Sequence, residues 1–324
     1  MILLLEVPIN EKDLYNFCEQ YPTIKIFNND LDHSAYSHIL GIYTEVAFKL
    51  DAIYLEKFKN LKFIATPTTS LTHIDLSYCL QNGIEIFSLK NHKEMIKNFT
   101  ATAEVTFWHI FELLRKFSKA QASVVAGEWN RRAHITNTLA EKKIGIIGYG
   151  RLGARVAKIA IDFEMDVYIY DIEKKSIASN SGLTLVACIE EIFEKCEIVS
   201  VHVDDRPANY NLIDIRLFQR ILNPGTILVN TSRGFVVNEE DALVALEANI
   251  LGGLGVDVLR AEEVQNKDLN WTKKNLIINK KINSNLNISI TPHVGGATRE
   301  TLEKSTKLVL GQLFKAIHLK ISSL

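Results

Sequence analysis

The chain has 324 residues, 47% from the hydrophobic set and 23% charged, with a formal net charge of -1. That balance excludes a disordered polyelectrolyte and leaves no basic surplus for a nucleic-acid partner, while the length fits two domains with room for a cleft between them. Four cysteines, Cys18, Cys79, Cys188 and Cys196, stand far apart with no CxxC pair, which argues against a zinc or disulfide framework and for free thiols in a reducing compartment.

In chain order, the apolar opening at 1–5 meets Glu6 and Pro8 at once. It is far short of a signal peptide or membrane span and reads as the first buried strand of a cytoplasmic protein with no membrane partner. Apolar runs at 2–7, 24–27, 61–65 and 84–88 predict short strands separated by helical stretches, the rhythm of βα units in a parallel sheet. Over 102–117, Val105, Trp108, Ile110, Phe111, Leu113 and Leu114 predict a long helix with few polar breaks. So apolar a helix needs cover on most sides, which places it between domains or between subunits.

A cleaner rhythm begins at Lys143, with strands predicted at 144–148, 167–170, 198–203, 227–230, 254–258 and 288–291. Helical patterns separate most of them, as in a doubly wound, Rossmann-type sheet. Residues 266–287, rich in Asn and Lys, read as a solvated loop. One amphipathic helix near 299–319 is too little for a third domain and is expected to pack back on the first. The expected division is 1–100 with 293–324, a smaller discontinuous flavodoxin-like α/β substrate domain, and 101–292, the dinucleotide domain.

Gly148-Tyr149-Gly150-Arg151-Leu152-Gly153 is a GxGxxG that follows Ile144, Ile146 and Ile147 directly and opens a segment patterned as a helix by Val156, Ile159 and Ala160. Gly148 permits a tight turn, Gly150 a close approach to pyrophosphate, and Gly153 close packing of helix on strand. The helix dipole and its free N–H groups then face the anion. Asp171 closes the second strand, 18 residues after Gly153, where a carboxylate accepts from ribose hydroxyls and repels a 2′-phosphate. NAD is therefore the expected cofactor. The plainer alternative is a glycine turn in an ordinary βα unit with a solvent-facing Asp171.

Such a sheet leaves the reaction open, so the chemistry must come from other residues at strand ends. Arg233 follows the fourth strand in Asn230-Thr231-Ser232-Arg233-Gly234, and its guanidinium fork suits a carboxylate and its adjacent carbonyl. His293 follows the last strand in Thr291-Pro292-His293-Val294-Gly295-Gly296, a frame that the other eight histidines lack, and can exchange a proton near neutrality. A carboxylate on His293 would fix its tautomer and raise its pKa, and Glu262 and Glu263 both follow the fifth strand. Spacing alone does not choose between them.

Together these elements resemble the D-isomer-specific 2-hydroxyacid dehydrogenase family, over nearly the whole chain and most strongly over 143–298. The matching pieces are 148–153, Asp171, Val-Asn-Thr-Ser-Arg-Gly at 229–234, Gly-Leu-Gly-Val-Asp-Val at 253–258, and Thr291-Pro292-His293-Val294-Gly295. The resemblance implies an NAD-dependent oxidoreductase that moves a hydride between nicotinamide and a small 2-hydroxy or 2-oxo acid, of the phosphoglycerate or glycerate type. It assigns the substrate carboxylate and carbonyl to Arg233 and acid/base work to His293. It also selects Glu262 as the partner, since the family's glutamate falls five residues after Asp257.

The same resemblance implies cofactor contacts from Gly148, Gly150, Arg151, Leu152, Gly153, Asp171, Val203, Thr231, Ser232, Asp257, Gly295 and Gly296. It implies substrate contacts from Thr69, Ser70 and Leu71 beside Arg233, no metal, and a homodimer through the nucleotide domain. The alternative on the same fold is an NAD-sensing, corepressor-like binding protein.

Four departures from the family pattern stand out. Glu263 replaces the usual proline, Asp204 replaces the proline of a Val-His-x-Pro strand end, and 31 residues separate Glu262 from His293, about a dozen more than usual. The family's Gly-rich substrate loop is here Pro67-Thr68-Thr69-Ser70-Leu71-Thr72-His73-Ile74-Asp75, whose hydroxyls suit a polar or phosphorylated acid. Lys90, His92 and Lys93 after the next strand read as solvated, with an anion across the cleft as the alternative.

Overall fold

The structure, a computed structural model, describes residues 2–4, 11–27, 33–45, 48–173, 182–222, 224–262 and 270–322. Its strands are β1 (Ile2–Leu4), β2 (Ile26–Phe27), β3 (Gly41–Tyr43), β4 (Phe63–Ala65), β5 (Glu85–Phe87), β6 (Lys143–Ile147), β7 (Asp166–Tyr170), β8 (Leu183–Leu185), β9 (Ile198–Val201), β10 (Thr226–Asn230), β11 (Leu251–Val256) and β12 (Ile288–Ile290). The first helices are α1 (Glu11–Gln20), α2 (Ala52–Leu55), α3 (Leu76–Gln81), α4 (Lys93–Ile96), α5 (Ala101–Arg115) and α6 (Phe117–Val125). They are followed by α7 (Arg151–Asp162), α8 (Ile189–Lys195), α9 (Ile215–Phe218), α10 (Glu239–Glu247), α11 (Trp271–Lys274), α12 (Leu276–Asn283) and α13 (Arg299–Ser322). No helix among the described residues is long and apolar enough to cross a membrane.

The chain divides into two compact units. Of the described residues, the first unit holds 2–99 and 297–322, and the second holds 100–262 and 270–296. Residues 293–296 thus stay with the second unit, whereas the expected boundary lay at 292. The reason is local: the N–H of His293 donates to the Asp257 carbonyl, and those of Val294 and Gly295 donate to its carboxylate, all at 2.8 Å.

In the first unit, five parallel strands run in the order β2-β1-β3-β4-β5, the flavodoxin-like arrangement. Alternation along each strand builds two cores: Tyr43 and Ala65 face one side, Ile42 and Ile64 the other. Val309, Leu310, Leu313, Phe314 and Ile317 of α13 close the first side, with Phe17 of α1 stacked on Phe314 at 5.2 Å. Truncating Phe314 to alanine should cost about 3–5 kcal/mol. The tail helix therefore completes the first core, as its amphipathic pattern implies. Strand β3 was not predicted, because Gly-Ile-Tyr is too short a run to show a period. Of the strand predicted at 2–7, residues 5–7 lie outside the described residues.

In the second unit, seven parallel strands take the order β12-β11-β10-β9-β6-β7-β8. The order reverses between β6 and β9, and ligands of such sheets bind beyond the carboxyl ends of the strands at that reversal. Helices α5 and α7 contribute Phe107, Ile110, Leu113, Val156 and Ala160 to one core, and α8, α9, α10 and α12 contribute Phe193, Phe218, Leu246 and Ile277 to another. Strands covered on both faces read as near-continuous apolar runs, which is why β6, β9 and β10 were legible.

Two expectations change. The cover that α5 needs comes first from its own sheet, since Ala103, Phe107, Ile110 and Leu113 are buried there. The Asn/Lys stretch is helical over α11 and α12: Asn275 caps α12 by accepting from the N–H of Ile278 at 3.1 Å, and Ile277 is fully buried while Trp271 and Ile278 pack against the same core. Its residues 266–269 lie outside the described residues.

Candidate active site

The glycine turn after β6 is shaped by contact. Gly148 has φ 92°, and a Cβ there would lie 2.6 Å from the His202 carbonyl oxygen at the end of β9 and 3.1 Å from the Val203 nitrogen. At Gly153 a Cβ would stand 1.9 Å from the Gly148 oxygen, so α7 can start against its strand only without a side chain. Gly150 is the N-cap of α7, makes no side-chain cap, and has open space where its Cβ would be. Those features form a backbone cradle for an anion at a helix N-terminus.

Beside it, the Asp171 carboxylate accepts from the N–H groups of Tyr149 at 2.7 Å and Glu173 at 2.8 Å, which fixes an acid where a ribose would lie. Burial, with Arg155 nearby, pushes the Arg151 guanidinium below its ordinary range, so a bound anion would relieve it. Cradle, acid and cation together fit a dinucleotide. Asp204, the acid in place of the family's proline, is held by Arg206 through bonds of 2.7 and 2.6 Å.

At the end of β10, Asn230 folds the next loop on itself. Its oxygen accepts from Ser232 N–H at 3.0 Å and Oγ at 2.8 Å, and its amide donates to the Arg233 carbonyl at 2.9 Å. Arg233 Nη1 donates to the Ser232 carbonyl at 2.5 Å, while its Nε is buried without a protein partner. Burial outweighs the nearby Asp205, Glu262 and Asp204 and pushes the guanidinium below its ordinary range. A partly buried cation whose enclosed Nε is an unused donor calls for an anion. Gly234 allows the next loop onto this one, because a Cβ there would sit 2.1 Å from the carbonyl of Leu259.

That second loop carries Glu262. Its Oε2 accepts from Leu259 N–H at 3.2 Å, and its Oε1 is 2.7 Å from His293 Nδ1. Against a carboxylate, Nδ1 must carry the hydrogen, which leaves Nε2 to meet a substrate. His293 has φ 54° and Ala261 has φ 56°, a conformation uncommon outside glycine that turns both loops toward each other. Burial alone would lower the His293 pKa. The hydrogen bond and charge of Glu262, aided by Asp257, outweigh burial and raise it, against an opposing pull from Arg233.

The structure thus brings Arg233, Glu262 and His293 together from three loops of one unit, with Glu262 chosen by contact and Glu263 outside the described residues. Thr231, Ser232, Asp257, Gly295 and Gly296 lie on the same loops, and Gly148, Gly150, Arg151, Leu152, Gly153, Asp171 and Val203 on the turn and strand ends at the reversal. Thr69, Ser70 and Leu71 belong to the first unit, after β4, where Thr68 Oγ1 donates to the Ser70 carbonyl at 2.6 Å and Thr66 Oγ1 meets His73 Nε2 at 3.2 Å. Lys90 and Lys93 are exposed, and His92 Nε2 lies 3.1 Å from the Gln312 amide. Sequence reasoning missed Asn230 as the organiser of its loop and three polar residues of α5, Thr102, Thr106 and His109.

Residues 107–295 match the family model described as D-isomer specific 2-hydroxyacid dehydrogenase, NAD binding domain. The chain is 31% identical over 282 residues to a D-3-phosphoglycerate dehydrogenase of Haemophilus influenzae, covering 86% of this chain and 63% of that protein. It is 28% identical over 280 residues to a glyoxylate reductase of Thermococcus litoralis, covering 84% and 79%. The crystal structure of D-lactate dehydrogenase from Aquifex aeolicus complexed with NAD and lactic acid aligns with a TM-score of 0.80 at 24% identity, over 100% of this chain and 98% of that one, a likeness of fold. The chain spans less than two thirds of the length of the phosphoglycerate dehydrogenases it matches.

Proposed function

We propose, on the premise that the chain belongs to the D-isomer-specific 2-hydroxyacid dehydrogenase family, that it interconverts a small D-2-hydroxy acid and its 2-oxo acid, with NAD supplying or accepting the hydride. The observation that carries this reading is the 2.7 Å contact of His293 Nδ1 with Glu262, which commits one ring nitrogen and leaves Nε2 for proton transfer. In reduction, protonated His293 gives its Nε2 proton to the carbonyl oxygen, and Glu262 stabilises the imidazolium beforehand. In oxidation, neutral His293 takes the hydroxyl proton. Arg233 holds the carboxylate and stabilises charge developing on the reacting oxygen, with Nε as a donor that its loop leaves unpaired.

Gly148, Gly150 and Gly153 would hold the pyrophosphate, with Asp171 on the ribose favouring NAD. Thr69, Ser70 and Leu71 remain assigned to substrate, and the hydroxyls of their loop favour a polar acid of the phosphoglycerate or glycerate kind. A homodimer through the second unit is supported by α6, which buries none of its residues, and by Val125, Trp129 and Ile135, exposed by 83%, 90% and 79%. Trp129→Glu should then shift the sedimentation of a dimer to that of a monomer. A reducing, cytoplasmic setting is supported by Cys18, Cys79, Cys188 and Cys196, all free.

The test is NADH oxidation with a panel of phosphohydroxypyruvate, hydroxypyruvate, glyoxylate and pyruvate. Turnover of at least one, abolished in His293→Asn while NADH still binds, is expected. A protein that binds NADH and turns over none of them is a binding protein, and the proposal fails.

A further inference from the structure

Helix α5 carries, apart from its charged residues Glu104, Glu112 and Arg115, a polar stripe at helical spacing, Thr102, Thr106 and His109, at positions i, i+4 and i+7. Each residue of the stripe reaches a loop that carries the chemistry. Thr102 Oγ1 donates to the Gly295 carbonyl at 2.9 Å, two residues beyond His293. Thr106 Oγ1 donates to its own helix at Thr102 and meets Thr231 Oγ1 at 2.9 Å, so that Thr231, two residues before Arg233, must donate. His109 is fully buried, with Nδ1 at 2.8 Å from Ser289 Oγ and Nε2 at 3.1 Å from Thr291 Oγ1.

The polarity of that last set follows from counting hydrogens. Thr291 has one hydroxyl hydrogen and gives it to Asp257 Oδ1 at 2.5 Å, so it can only accept from His109. His109 Nε2 therefore carries the ring hydrogen, and Nδ1 accepts from Ser289. A single directed chain runs Ser289, His109, Thr291, Asp257, and Asp257 in turn accepts from the N–H groups of Val294 and Gly295. The chain needs a neutral ring, and burial, against a weaker pull from Asp257, pushes His109 down to about 4. Gly255 makes the close approach possible, because a Cβ there would lie 2.9 Å from His109 Cβ.

We propose that His109 is a positioning residue: through Thr291 and Asp257 it fixes the loop that holds His293 against Glu262. This rests on the dehydrogenase reading only for its effect on turnover, since the geometry of His293 can be read without it. Linked hydrogen bonds polarise one another, so removing His109 from the middle of the chain weakens the set as a unit.

The test follows the ring of His293 by NMR in labelled protein, assigned as the resonance absent from His293→Asn. Glu262, Asp257 and Arg233 are the charges that face it. In His109→Leu the His293 pKa should fall below that of the parent, since the loop no longer holds the ring to Glu262 and Asp257. Thr291→Val should do the same, the double variant should add little, and His109→Gln, which keeps one donor and one acceptor, should restore most of the difference. On active protein, kcat for reduction should drop about ten- to a hundredfold with NADH affinity little changed. An unmoved His293 pKa in folded His109→Leu and Thr291→Val overturns the proposal whether or not the parent turns over. A parent that oxidises no NADH defeats the dehydrogenase reading and leaves the titration to decide this one. If His109→Leu does not fold, Thr291→Val decides alone.

Discussion

Replacing Glu262 with Gln removes a charge while keeping the size of the side chain and an oxygen for Leu259 N–H. It takes from His293 a charge-assisted hydrogen bond of 2.7 Å, made where His293 is exposed by 36% and Glu262 by 20%. Hydrogen bonds to charged groups contribute about 1.5–3 kcal/mol, and partial exposure places this one near the lower end. About 1.5 kcal/mol is roughly tenfold in the imidazolium population at any pH above its midpoint. Reduction needs protonated His293, so its rate falls as pH rises through the raised pKa. In Glu262→Gln that alkaline limb should move to lower pH, with kcat for reduction down about tenfold on the alkaline side. Oxidation needs the neutral ring and should extend to more acidic pH. Full pH profiles of kcat in both directions make the check, with melting temperature as the control for folding. A limb that stays in place, or moves to higher pH, would refute the partnership.

Arg233→Ala should lower kcat/KM for the oxo acid about a hundredfold, roughly 3 kcal/mol for paired charge-assisted bonds, and leave the NADH dissociation constant within about threefold. Equal loss of NADH affinity would show that Arg233 serves the cofactor instead. Gly234→Ala forces a Cβ to within 2.1 Å of the Leu259 carbonyl and should destabilise by about 1–3 kcal/mol while displacing the Glu262 loop. An unchanged melting temperature would mean that the two loops do not touch. Burial pushes His73 and His109 from 6.5 down to about 4, so between those values the unfolded chain binds more protons than the folded one. Stability from these groups is full above about 6.5 and declines as pH falls toward 4, at up to about 1.4 kcal/mol per pH unit for each histidine. Urea midpoints at pH 7 and pH 5 measure it, and equal midpoints would count against the buried neutral rings.

Legibility in the sequence tracked how local each signal was. Strands β6, β9 and β10 stood out because cover on both faces makes them unbroken apolar runs. The GxGxxG and the Pro/Gly frame of His293 stood out because turn chemistry writes itself into neighbouring residues. Strand β3, at three residues beginning with glycine, carries no period and is a strand only because β1 and β4 flank it. Helix α12 was hidden by composition, since Asn and Lys dominate its exposed face, and only Asn275 as a cap and buried Ile277 mark it. Glu262 was separable from Glu263 only through the family's five-residue spacing after Asp257, because the backbone turn at Ala261 that precedes it leaves no local pattern. His109 was passed over for lacking a loop frame, although uncharged polar residues repeated at helical spacing among the apolar residues of α5 are themselves a signal of buried partners.

The most direct measurement is the fate of the hydride. NADH deuterated at nicotinamide C4, on the face from which the hydride is transferred, would be incubated with whichever oxo acid of the panel is turned over, and the product examined by mass spectrometry and chiral separation. Deuterium on carbon 2 of a D-2-hydroxy acid, formed by the parent and not by His293→Asn, is the expected result. Label left wholly on the nicotinamide, or a product of L configuration, would contradict it.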